Sequence, residues 1–264
     1  RNALVVRDLL GVDVPVHSGA ERPIVAPPRH ADYVHGESGL DGADLPEPVR
    51  PVDGTDAVSF IVETCRSLEG VWLVAVGPLT NIALALRSAP DLADRISGIS
   101  VMGGGSFGNR TAAAEFNIWA DPEAAAVVCS YGGPLVLSTL DLTHTFLATP
   151  ERIERIRAIG GRLPATFADL LVFFSRTYVQ RHEGMDGAAV HDPCAVLALT
   201  HPHLFGRVLT HVAVETSGDL TRGMTVFDRR ALVERAAPNC TLLTSVDAVA
   251  GFGLITEALA AFTR

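Results

Sequence analysis

Side chains able to do chemistry gather in three stretches of this 264-residue chain. The first runs from Met102 through Gly103-Gly104-Gly105-Ser106-Phe107-Gly108 to Asn109, directly after the apolar segment Ile99 to Met102. Its glycines let the backbone turn tightly at the C-terminal end of a buried strand, where open α/β sheets place their ligands. The second is Glu115-Phe116-Asn117. Read as extended backbone, it sends the carboxylate and the amide to one face and Phe116 to the other. Together with Asn109, these groups suit a small polyhydroxylated ligand. The third is His191-Asp192-Pro193, an imidazole beside a carboxylate just before a helix. Asp192 can cap that helix or bind a hard cation; taken alone, the cap is favoured.

Other patterns compete for the same residues. Gly103-x-Gly105-x-x-Gly108 matches the dinucleotide fingerprint, but no helix clearly opens on its last glycine. Gly104-Gly105-Ser106-Phe107-Gly108 matches a nucleophile elbow, and Asp141 or Asp192 followed by a later histidine would complete a serine-hydrolase triad. That alternative requires a helix over Arg110 to Trp119, which Asn117 and the β-prone residues there oppose. A non-catalytic nucleoside- or sugar-binding module is a further alternative. His201 and His203, two apart on a loop, make a poor zinc pair.

The elements that must position these groups alternate. Continuous apolar runs at Val71 to Val76, Ile99 to Met102 and Pro134 to Leu140 read as strands, and Val12 to Val16 as a shorter one. Helical spacing covers Asn2 to Leu10, Asp56 to Leu68, Leu79 to Leu86, the Pro122 helix capped by Asp121, Glu151 to Ile159, Phe167 to Arg181 and the stretch from Pro193 to Leu199. Later strands are expected at Val208 to Thr216, Gly223 to Phe227 and Thr241 to Leu243, before a closing helix from Val246 to Phe262. Such alternation predicts an α/β fold, an open mostly parallel sheet flanked by helices, in a single domain over residues 1–264. The proline-rich span from Gly19 to Gly54 is too long for an ordinary connection and reads as an active-site loop.

Composition narrows the partners. Hydrophobic residues make up 48% of the chain and the net charge is −9, with every basic residue an arginine. An acidic chain without basic clusters is a poor match for nucleic acid or anionic membrane surfaces, and no apolar run is long enough to span a membrane. Without lysine, Schiff-base chemistry and a P-loop lysine are excluded. Cys65, Cys129, Cys194 and Cys240 are widely spaced, as expected of reduced thiols in a cytoplasmic protein.

Five segments, His35-Gly-Glu-Ser-Gly-Leu-Asp-Gly42, Val76-Gly-Pro-Leu-Thr-Asn-Ile82, Val101-Met-Gly-Gly-Gly105, Ala114-Glu-Phe-Asn-Ile-Trp-Ala-Asp-Pro-Glu-Ala124 and Val190-His-Asp-Pro-Cys-Ala195, resemble, in order, the inosine-uridine-preferring nucleoside hydrolases. The resemblance implies a Rossmann-like sheet with a calcium ion (Ca2+) at its C-terminal edge. It also implies calcium-dependent hydrolysis of the N-glycosidic bond of ribonucleosides, to ribose and free base, in purine and pyrimidine salvage. Asp192 and the Val76 carbonyl would hold the metal. Glu115, Asn117 and Asn109 would hold the ribose hydroxyls and Met102 would line the sugar pocket, with Phe116 and Asp192 also binding substrate and Tyr178 and His182 near the base. His191 would protonate the departing base, with His35 close by. A homo-oligomer, dimer or tetramer, is implied as well.

Cleavage of an N-riboside passes through a ribosyl cation-like transition state, so a site must stabilise positive charge on the sugar and protonate the base. An imidazole with an ordinary pKa of about 6.5 suits the second task. The family's Asp-x-Asp-x-x-x-Asp-Asp-type calcium turn is absent from residues 1–264. The domain is therefore expected to lack its N-terminal strand and aspartate motif, to have little or no hydrolase activity by itself, and to expose apolar sheet edges.

Overall fold

The computed structural model describes residues 1–28, 36–180, 184–231 and 234–263. In chain order the elements are α1 (Asn2–Leu10), α2 (Ala57–Ser67), β1 (Trp72–Ala75), α3 (Thr80–Ser88), α4 (Leu92–Arg95), β2 (Gly98–Met102), α5 (Phe116–Ala120) and α6 (Pro122–Cys129). There follow β3 (Leu135–Ser138), α7 (Leu140–Thr143), β4 (Leu147–Ala148), α8 (Pro150–Arg157), α9 (Arg162–Val179), β5 (Ala188–Ala189) and α10 (Pro193–Thr200). The chain closes with β6 (Phe205–Thr210), β7 (Val212–Val214), β8 (Thr225–Phe227), β9 (Cys240–Val246) and α11 (Ala248–Ala261).

The central sheet runs β1-β2-β3-β9-β6. Four strands are parallel and β6 joins antiparallel. Side chains alternate across it, as a two-residue period requires. Ile99, Val101, Leu135, Leu137 and Leu242 pack with α2, α3 and α6, while Val136 and Leu243 pack with α8, α10 and α11. All five residues of β2 are buried, because a central parallel strand is covered on both faces. β1 forms one edge, and Val74 and Val76 are partly exposed there.

Three expectations change. Among the described residues Val12 to Val16 forms no strand: an isolated bridge joins His17 to Gly54, the Val16 carbonyl accepts from the Asp53 N–H at 2.8 Å, and the Val16 N–H donates to the Asp53 carboxylate at 2.8 Å. Glu115 to Asn117 is not extended: α5 begins at Phe116, and Glu115 caps it. The single strand expected over Val208 to Thr216 is two, with β6 in the central sheet and β7 paired to β8.

Candidate active site

The sheet's C-terminal edge opens into a cavity of about 850 Å³. Val76 follows β1 there and Met102 ends β2, with α5, α9, the start of α10 and the loop Gly39-Leu40-Asp41 closing the sides. Val76, Met102, Asn109, Glu115, Phe116, Asn117, Tyr178, His191 and Asp192 all line it. His35 and His182 lie outside the described residues.

Backbone donors fix the polar floor. One Glu115 oxygen accepts from the Gly104 N–H at 3.0 Å and the Ile118 N–H at 3.2 Å; the other accepts from the Asn117 N–H at 2.9 Å. Gly104 has φ +74°, a left-handed turn that glycine adopts freely. Asn109 accepts the Phe116 N–H at 2.9 Å, and Asn117 donates to the Met102 carbonyl at 3.0 Å. Each side chain keeps hydrogen-bonding capacity for a ligand: one lone-pair site on Glu115, the amide NH₂ of Asn109 and the amide oxygen of Asn117. Burial raises Glu115 to about 7, against the pull of its backbone donors, and the charge of Asp192 pushes the same way.

Asp192 occupies the cap position of α10 but makes no side-chain cap bond. Its backbone is already helical (φ −64°, ψ −39°), whereas a capping side chain needs the extended conformation. The cap favoured by sequence is therefore not formed, and the carboxylate is left to the cavity. Asp192 offers substantial surface to that cavity, yet the walls remove enough water to raise it to about 6.

Beside it, His191 is held at both ring nitrogens. Nδ1 lies 2.7 Å from Oγ1 of Thr143, and Nε2 lies 3.2 Å from the Tyr178 hydroxyl. Phe167, Leu170, Phe173 and Phe174 of α9 make an apolar wall next to Tyr178. Sequence reading missed Thr143 and His144. Their signal was position: they follow β3, whose C-terminal end addresses the same sheet edge.

The serine-hydrolase geometry is not formed. Ser106 hydrogen-bonds the Asp141 carboxylate rather than an imidazole, and no helix follows the turn until Phe116. Nor does Gly103-x-Gly105-x-x-Gly108 open a helix, which removes the dinucleotide fingerprint. His201 hydrogen-bonds Thr200, and among the described residues no group of three or more His, Cys, Asp or Glu could hold a metal ion. The uncommitted Asp192 carboxylate and Val76 at the cavity edge fit one side of a hard-cation site. Alone they fall short of the six to eight oxygens calcium takes.

The family described as inosine-uridine preferring nucleoside hydrolases matches residues 1–252. The chain belongs to this family. It is similar to the pyrimidine-specific ribonucleoside hydrolase RihA of Enterobacter sp. (strain 638), with 44% identity over all of this chain and 85% of that protein. The RihA of Escherichia coli (strain SMS-3-5 / SECEC) is 45% identical over 94% of this chain and 80% of its own length. Among solved structures, the purine-preferring ribonucleoside hydrolase from Gardnerella vaginalis superposes with a TM-score of 0.91 at 28% identity, covering 99% of this chain and 85% of that one. This nucleoside hydrolase is thus an enzyme built on the α/β fold read from its sequence. All four of its cysteines are free and buried. No helix among its described residues is long and apolar enough to cross a membrane.

Proposed function

We propose that this nucleoside hydrolase cleaves pyrimidine ribonucleosides in a calcium-dependent reaction, releasing ribose and the free base. The observation that carries this reading is the division of one cavity: a polar floor of Asn109, Glu115 and Asn117, an apolar wall on α9, and His191 lining the same space. The ribose would lie on the floor over Met102 and Phe116, and the base against the wall. As the N-glycosidic bond breaks, its electron pair stays on the base nitrogen, which takes a proton from His191; water adds to the anomeric carbon and loses a proton to solvent, from which His191 is reprotonated. Asp192 and the Val76 carbonyl would form part of the calcium site, where the bound ion supplies a polarised water and an anchor for the ribose diol.

The pyrimidine choice is supported by the two RihA relatives, which are far more similar in sequence than the purine-preferring structural neighbour. A cytoplasmic location, a role in nucleoside salvage and assembly as a dimer or tetramer belong to the same reading and rest on resemblance. Comparing kcat/KM for uridine, cytidine and inosine tests it. At least a tenfold advantage for the pyrimidines is expected; an advantage for inosine would reverse the base assignment, and ribose release from none of the three would overturn the reading.

A further inference from the structure

The Tyr178 hydroxyl sits between two imidazoles, 2.9 Å from Nε2 of His144 and 3.2 Å from Nε2 of His191. Tyr178 and His191 line the cavity; His144 is not among the lining residues. The other His191 nitrogen, Nδ1, meets Thr143, which has no exposed surface. That contact lies behind the ring, so Nε2 is the nitrogen available to a substrate. A phenol carries one hydrogen and donates to one imidazole at a time. An Nε2 that protonates a departing base carries the hydrogen itself, so in that state the Tyr178 oxygen accepts from it and the phenol hydrogen needs another acceptor, because a buried hydroxyl left unpaired is costly.

His144 supplies the alternative partner, and its contact is the shorter of the two. The ring is well placed to hold it. His144 closes α7 through its backbone N–H to the Leu140 carbonyl at 3.0 Å. Its imidazole stands edge-on to Phe107, with ring centres 5.2 Å apart, and to Tyr178 at 6.1 Å. We infer that His144 is a positioning residue for N-glycosidic cleavage: it accepts the Tyr178 hydrogen, so that the phenol oxygen faces the Nε2–H of His191 and holds it toward the base. The inference rests on His191 as the group that protonates the base. His144 and Tyr178 give up no proton; the one gained by the base nitrogen comes from His191.

The test is kcat and KM of the intact gene product on uridine and on p-nitrophenyl β-D-ribofuranoside, whose nitrophenolate departs without needing a proton. His144→Ala should lower kcat on uridine ~10-fold or more, with KM and nitrophenyl riboside cleavage each within ~2-fold of wild type. His144→Gln, whose amide can meet the hydroxyl, should recover most of the loss. In a Tyr178→Phe background, His144→Ala should have no further effect. His144→Asn, too short to reach, substitutes if the alanine variant does not fold. Equal losses on both substrates, or additivity with Tyr178→Phe, would overturn the role of His144 and leave the hydrolase reading standing. A wild-type protein that cleaves neither substrate would overturn both.

Discussion

Oγ1 of Thr143 lies 2.7 Å from Nδ1 of His191, tying the helical turn after β3 to the residue that precedes Asp192. This contact orients the imidazole from its buried side. Thr143→Val keeps the side-chain shape and removes the oxygen, taking away a hydrogen bond worth about 0.5–1.5 kcal/mol. The expected result is a fall in kcat on uridine of ~10-fold with a small change in KM, read by steady-state kinetics.

Glu115 is 3% exposed and spends three hydrogen bonds on the backbone of the glycine turn and α5. Burial raises its pKa from the ordinary 4.5 to about 7. Between those values the native state holds a proton that the unfolded chain has released, so stability falls as pH rises through this window. Asp192, raised from 3.8 to about 6, acts in the same direction at lower pH. Exposed carboxylates such as Asp53, held below its ordinary value first by the Val16 N–H, oppose this and lose their contribution in more acid solution. Thermal melts in chelator should therefore show a maximum near pH 5 and a decline toward pH 7.5. Glu115→Gln should flatten that decline.

Asn117 holds the Met102 carbonyl through its amide nitrogen at 3.0 Å, leaving its oxygen toward the cavity. Asn117→Ala removes both contacts. A fall of ~10- to 100-fold in kcat/KM for uridine is expected, consistent with one or two hydrogen bonds to the sugar. Comparison with 2′- or 5′-deoxyuridine identifies the hydroxyl concerned, because the variant should be indifferent to removal of that one.

Gly42 packs the loop that carries Leu40 and Asp41 against α9. Its φ is +108°, and an added Cβ would collide with the Cβ of Phe173. Gly42→Ala should destabilise the protein by about 1–3 kcal/mol and raise KM by shifting the cavity wall. Chemical denaturation and Michaelis kinetics check the two parts separately.

Much of this geometry was legible in sequence. The apolar run Ile99 to Met102 reads as a buried strand, and β2 covers it with all five of its residues buried; Asp121-Pro122 reads as the start of α6, where the Asp121 side chain accepts from the Ala124 N–H and proline takes the first helical position. The glycine turn, Glu115, Asn117 and His191-Asp192 could be placed at one sheet edge because α/β topology sends strand ends there. The details that failed were set by side chains competing with the backbone. Glu115 takes the N–H groups of Asn117 and Ile118, which starts a helix where alternation suggested a strand. Val16 pairs with the Asp53 side chain, 37 residues away, instead of a neighbouring strand. His144 belongs to no recognisable motif; it meets Tyr178 across 34 residues only because α7 packs near α9.

Ribose release from uridine by the intact gene product, followed before and after excess chelator and again after calcium is restored, tests the central claim most directly. Turnover that stops with chelator, returns with calcium and is lost in Asp192→Asn is expected. Turnover that is indifferent to chelator, or that survives Asp192→Asn unchanged, would contradict a calcium-dependent hydrolase working through this cavity.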